Sequence, residues 1–238
     1  MTKDILSELR KALKANIDEK TKNGFQRYFK ERVICHGIKS AAVVRIAKEY
    51  FKKIKSADLQ KKEVFALCKE LFKSGYCEES FIAANWTYWL NNYKEQDFPI
   101  YERWITEYID NWAECDTFCN HTVGSFIEKY PEYVQKLKIW AKSKNRWVKR
   151  AAAVSLILPA RKGKFLKDIF EIADSLLLDK DDMVQKGYGW MLKEASRKHQ
   201  KEVFNYVMKC KKDMPRIALR YAIEKTPQNL RAKAMAKD

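Results

Sequence analysis

Glycine and proline are scarce, at 7 and 5 residues in a chain of 238. A β-sandwich or barrel needs more turn residues at its many short connections, so an all-β fold is excluded and helices joined by tight loops are favoured. No uncharged apolar run reaches the roughly 18 residues that a membrane-spanning helix needs. The opening Met1-Thr2-Lys3-Asp4-Ile5 has no apolar core followed by a small-residue cleavage site, so it is not read as a signal peptide. The expected location is the cytoplasm, where thiols stay reduced. Six cysteines are present with no Cys-x-x-Cys among them. Cys115 and Cys119 lie one helical turn apart with His121 close behind. A zinc site usually wants four ligands in paired spacing, so buried small apolar residues are the preferred reading and no metal is expected. Signatures of the common enzyme classes are missing as well. His36, His121 and His199 are far apart without an adjacent nucleophile, and there is neither a glycine-rich phosphate loop nor a Gly-x-Ser-x-Gly elbow.

Acidic residues are in deficit too, 31 against 48 Lys and Arg, which leaves a formal charge of +17. Self-repulsion on that scale opposes a compact fold unless a partner uses it, and the partner it fits is a polyanion. A membrane surface is the rival, without a spanning segment to support it.

Apolar residues are plentiful, with 46% hydrophobic and 13% aromatic residues. They recur at helical spacing: Phe81, Trp86, Trp89 and Leu90 within Glu78 to Glu95; Val64, Leu67, Cys68 and Leu71; Val134, Leu137, Trp140 and Ala141. The pattern predicts roughly a dozen helices of about 10–18 residues. Breaks are expected near Asn23-Gly24, His36-Gly37, Ser74-Gly75, Phe98-Pro99, Tyr130-Pro131, Leu158-Pro159, Lys162-Gly163, Met214-Pro215 and Thr226-Pro227. No low-complexity linker divides the chain, so residues 1–238 are expected to form a single domain, and a monomer is the simplest assembly.

The second half repeats itself. Arg146-Trp147-Val148-Lys149-Arg150-Ala151-Ala152 matches Asp182-Met183-Val184-Gln185-Lys186-Gly187-Tyr188, and Met214-Pro215-Arg216-Ile217-Ala218-Leu219-Arg220 follows after a shorter gap. Repeats of about 35–45 residues built from helical hairpins mark HEAT-like solenoids. The expected fold class is therefore an all-α, HEAT-like helical-repeat superhelix with a concave basic groove. Equivalent helices line up in such a stack. Lys149, Arg150, Lys186, Lys193, Arg216 and Arg220 are accordingly expected on one cationic stripe suited to duplex DNA held by its phosphates. Acidic protein partners fit the same charge.

Three residues are candidates for chemistry. Trp112 and Asp116 are four apart and share a helix face. Trp190 follows Gly187 and Gly189, two glycines that each cost a helix about 1 kcal/mol relative to alanine and so point to a close approach by another helix or a nucleic-acid backbone. Burial of both indoles in the core is the competing reading.

The segments Trp112 to Asp116, Trp147-Val148-Lys149-Arg150-Ala151-Ala152 and Val184 to Trp190 resemble the three signature stretches of the AlkD-like DNA alkylation repair glycosylases. Arg27-Tyr28-Phe29-Lys30 and His36-Gly37-Ile38 resemble that family's first helices, and the likeness runs from about residue 20 to 225. The resemblance implies a HEAT-like fold and hydrolysis of N3-alkyladenine and N7-alkylguanine from double-stranded DNA, at the bacterial nucleoid, without cofactor. It implies Asp116 as the catalytic carboxylate, Trp112 and Trp190 as aromatic side chains flanking the lesion, Arg150 as a DNA contact and Tyr28 as a tyrosine at the groove. It also implies that the damaged base is not drawn into a deep pocket. The chain departs from the pattern at Asn111, where the family often has a second tryptophan, and at Lys193, where it often has arginine; lysine cannot make the bidentate phosphate contact. A non-catalytic HEAT-like protein that binds damaged or branched DNA is the alternative, and a protein-binding solenoid the third.

Overall fold

The computed structural model describes residues 2–236, and among them the regular structure is helical. The chain forms two compact units, one ending at Phe118 and the other beginning at Cys119. The first holds α1 (Thr2–Lys14), α2 (Glu19–Phe25), α3 (Ser40–Ser56), α4 (Lys61–Lys73), α5 (Cys77–Leu90), α6 (Phe98–Glu107) and α7 (Trp112–Phe118). The second opens on a turn of π-helix (Cys119–Val123) and continues through α8 (Gly124–Lys129), α9 (Val134–Trp140), α10 (Arg146–Val154) and α11 (Ile157–Arg161). It ends with α12 (Leu166–Leu176), α13 (Asp182–Ala195), α14 (Gln200–Cys210), α15 (Arg216–Ala222) and α16 (Gln228–Met235).

The all-α reading holds, with helices shorter than periodicity suggested. The helix expected across Glu78 to Glu95 stops at Leu90, because Asn91 takes a left-handed conformation that asparagine tolerates better than most residues. Two expected breaks fall inside helices: α2 runs through Gly24, and α11 includes Pro159 in its first turn, where a missing amide hydrogen costs little.

In the first unit α5 is enclosed on most sides, and its acidic first turn is answered by specific donors. Buried Glu78 accepts hydrogen bonds from the amides of His36, Gly37 and Ile38 at 2.9, 2.8 and 3.0 Å. Glu79 is gripped by Arg10 at 2.8 and 3.1 Å and approached by His36 Nε2 at 3.3 Å. Buried carboxylates are tolerable only with such compensation. Burial pushes the Glu79 carboxyl up, but the His36 and Arg10 contacts outweigh it and hold it below the usual range. The His36-Gly37-Ile38 segment is thus a structural clamp. Gly37 sits at φ +86°, and a Cβ there would lie 2.3 Å from Lys22 Cβ, so no other residue fits.

The second unit carries the repeat. α10 and α13 begin 36 residues apart, at Arg146 and Asp182, and α15 begins at Arg216 after a gap of 34. α13 packs against both α10 and α15. Its two glycines make that possible. A Cβ on Gly189 would fall 2.7 Å from Tyr221 Cβ and 2.8 Å from the Ala218 carbonyl oxygen, and one on Gly187 would fall 3.3 Å from Arg150 Cγ. The approach partner anticipated for these glycines is therefore a neighbouring helix on each side.

Candidate functional site

The short helix α7 is fixed at both ends and along one face. At its start Asn111, 1% exposed, accepts hydrogen bonds from the amides of Ala113 and Glu114, both at 3.1 Å. Such a cap is worth about 1 kcal/mol. The Asn111 amide in turn donates to Asp110 at 3.1 Å and to Cys77 Sγ at 3.5 Å. At the far end Phe118 enters an aromatic cluster, with ring centroids 5.4 Å from Phe72, 5.6 Å from Tyr101 and 6.0 Å from Trp104. The asparagine standing where the resembling family often has tryptophan is thus a helix cap.

With those anchors, Glu114, Cys115 and Phe118 turn inward, while Trp112, Ala113, Asp116 and Thr117 stay partly exposed. The helix therefore carries two carboxyl groups in contrasting settings. Glu114 is buried beside Ser80, Asn111 and Cys77; burial, followed by the nearby Asp110 charge, pushes it up to about 7 despite those hydrogen bonds. Asp116 lies on the open face with Trp112, as their spacing predicts.

Trp112 is held by a segment 84 residues earlier. Its Nε1 donates to the Tyr28 carbonyl at 3.1 Å, and its ring stacks on Phe29 with centroids 5.4 Å apart. Phe29 stacks in turn on Phe25 at 5.1 Å. These rings wall a surface cleft of about 680 Å³ together with Phe81. The Tyr28 side chain is 73% exposed at the same cleft. Sequence reasoning found Trp112 and Tyr28 but missed the cleft, whose walls come from three separate segments. The four-residue spacing of Phe25 and Phe29 was the available signal.

In the second unit α13 presents a narrow open stripe. Asp182, Lys186, Trp190 and Lys193 are half-buried, and every other residue of the helix is buried. Of the seven tryptophans, Trp86, Trp104, Trp140 and Trp147 are core residues, whereas Trp89, Trp112 and Trp190 keep part of their surface open. Both candidate indoles are therefore outside the buried set. On the flanking helices, α10 leaves Arg146 and Lys149 partly exposed and α15 exposes Arg216 and Arg220. Lys149 pairs with Asp179, Lys186 with Asp182 at 2.9 Å, and Lys193 with Glu224 at 3.0 Å, its ammonium 5.7 Å from the Tyr221 ring.

Arg150 is the one member of the expected stripe that the structure places elsewhere. It is 5% exposed, and its guanidinium donates to the Met183 carbonyl. The reason is local: Gly187 on the neighbouring helix has no side chain, and Arg150 packs into the space. Trp112, Asp116 and Tyr28 belong to the first unit, and Trp190, Arg150 and the remaining stripe cations to the second. Among the described residues no group of histidine, cysteine or carboxylate side chains is arranged to hold a metal ion, and no helix is long and apolar enough to cross a membrane.

Fold and surface together define a class, an all-α repeat protein whose stacked helices display cations beside a part-open tryptophan. The chain belongs to the DNA alkylation repair enzyme family, whose model matches residues 9–226. Among solved structures it is similar to a predicted DNA alkylation repair enzyme from Enterococcus faecalis, with 13% identity and a TM-score of 0.79 over 90% of this chain and 98% of that one. At that identity the likeness bears on the fold alone. Comparison with curated proteins finds no match.

Proposed function

We propose that the protein is a DNA glycosylase that hydrolyses the N-glycosidic bond of cationic alkylated purines, N3-alkyladenine and N7-alkylguanine, in duplex DNA. The observation that carries the reading is the division of labour on α7. One carboxyl group, Glu114, is turned into the core, and the other, Asp116, shares a partly exposed face with Trp112. A protein that only gripped phosphates would gain nothing from an anion on that face, since like charges repel. Membership of an alkylation repair family points the same way.

A purine alkylated at N3 or N7 carries a positive charge, so its bond to deoxyribose is already weakened. As the bond breaks, its electron pair goes to the purine, which leaves neutral, and positive charge develops on the sugar. In this reading Asp116 stabilises that charge and orients the attacking water, whose oxygen bonds to C1′ and whose proton passes to the carboxylate or to solvent. Each 1.4 kcal/mol of such stabilisation is worth about tenfold in rate. Trp112 and Trp190 hold the electron-poor sugar through their ring faces, an attraction of about 0.5–2 kcal/mol, greatest where water is excluded. Lys149, Lys186, Lys193, Arg216 and Arg220 take phosphates, Tyr28 contacts the groove, and Arg150 supports that surface from beneath.

The test is base release from methylated duplex DNA in the presence of a chelator. Free 7-methylguanine appearing in proportion to protein supports the proposal. Tight duplex binding without release would leave the non-catalytic binder as the better account.

A further inference from the structure

The cleft beside Trp112 is larger and more aromatic than a contact with the duplex backbone requires. Phe25, Phe29 and Trp112 form a continuous stack along it, with interplanar angles of 26° and 24°, and Phe81 from α5 adds a further ring. The exposed Lys20 and Lys39 stand on its rim, Lys39 paired with Asp18 at 3.3 Å. Aromatic platforms bordered by cations are how proteins hold unstacked bases, because every base has a ring face to offer and every nucleotide brings a phosphate. The cationic rim and the charge of +17 favour a nucleotide over an apolar peptide or a lipid chain.

We propose that this cleft is a stacking subsite for a nucleobase displaced from the bound duplex. The proposal rests on the reading that the protein binds duplex DNA. It adds Phe25, Phe29 and Phe81 as binding residues and revises the expectation that no base leaves the stack. A base lodged there lies beside the helix that carries Asp116, so displacement of a base and presentation of its sugar would be coupled.

Gly24 provides a direct test. It lines the cleft, and a Cβ built on it meets nothing within 4 Å, so the Gly24→Trp ring has room to fill the space without displacing a neighbour. The measurement is fluorescence anisotropy with two duplexes of the same sequence, one fully paired and one carrying a single unpaired adenine. The wild-type protein is expected to bind the bulged duplex roughly tenfold more tightly, the scale of one base stacked on a protein ring. Gly24→Trp should bring that ratio to about one by filling the cleft, and Phe25→Ala should lower it by removing a wall, with thermal melting confirming that each variant is folded. A wild-type ratio near one, or a ratio unchanged in both folded variants, overturns the subsite. If the paired duplex is bound and 7-methylguanine released while the ratio is one, the subsite alone falls; if neither duplex is bound, the DNA reading falls with it.

Discussion

Asn145 and Asp181 stand 36 residues apart and make the same pair of hydrogen bonds. Asn145 accepts from the amides of Trp147 and Val148 at 2.8 and 3.4 Å, and Asp181 accepts from those of Met183 and Val184 at 2.8 and 3.2 Å. Each side chain starts a helix of the repeat. Arg146, from the earlier helix, also grips Asp181 at 2.7 and 3.1 Å, so the second cap doubles as a tie between repeats. Asn145→Ala should therefore cost about 1 kcal/mol of stability in urea unfolding, the usual worth of a cap. Asp181→Ala should cost up to about 1 kcal/mol more through the lost ion pair. Equal losses would show that the tie contributes nothing.

The glycines give a contrast within one protein. Gly189→Ala forces a methyl group against Tyr221 and the Ala218 carbonyl, and should destabilise by about 1–3 kcal/mol. Gly24→Ala, on a helix and facing open space, should be neutral or stabilise by up to about 1 kcal/mol. Thermal denaturation of the two variants against wild type reads both signs, and a harmless Gly189→Ala would contradict the close packing of α13 on α15.

Much of this architecture was legible in the sequence, and for identifiable reasons. Scarce glycine and proline with 3.6-residue periodicity require only local physics, and the repeat showed itself because cap and apolar positions recur together. Trp112 and Asp116 could be placed on one face because helical geometry fixes their spacing. The position of Arg150 could not be read, since it depends on a missing side chain at Gly187 on another helix. Nor could the cleft, whose rings converge only through the Trp112 hydrogen bond to Tyr28 and the stack on Phe29. Asn111 departs from a family pattern in sequence, yet in three dimensions it does a defined job as a cap.

Two buried carboxyl groups should act on stability in different pH windows. Glu114 is raised from 4.5 to about 7, so between those values the folded protein holds a proton that the unfolded chain has lost. Its contribution to stability therefore falls as pH rises from 4.5 to about 7 and is level above that. Glu79 is lowered from 4.5, so its contribution is present above that value and is lost as pH falls through the folded value. Glu114→Gln should flatten the stability profile between pH 4.5 and 7 and leave the acid limb in place, as followed by urea unfolding across pH. An unchanged slope in that window would contradict the assignment.

The cations of α15 make a separate prediction about duplex binding. Arg216 and Arg220 are exposed and four residues apart. If each takes a phosphate, replacing both with alanine should lower the slope of log affinity against log salt by about 2, roughly 0.9 per phosphate, with little dependence on sequence. An unchanged slope would remove α15 from the DNA surface.

The central claim is that Asp116 carries the chemistry, and single-turnover release of 7-methylguanine by wild type and Asp116→Asn, at protein concentrations that saturate the DNA, tests it most directly. The account predicts that the variant binds at least as tightly, because an anion near phosphates has been removed, and releases base at least about tenfold more slowly. Release at the wild-type rate by a saturated Asp116→Asn complex would contradict it.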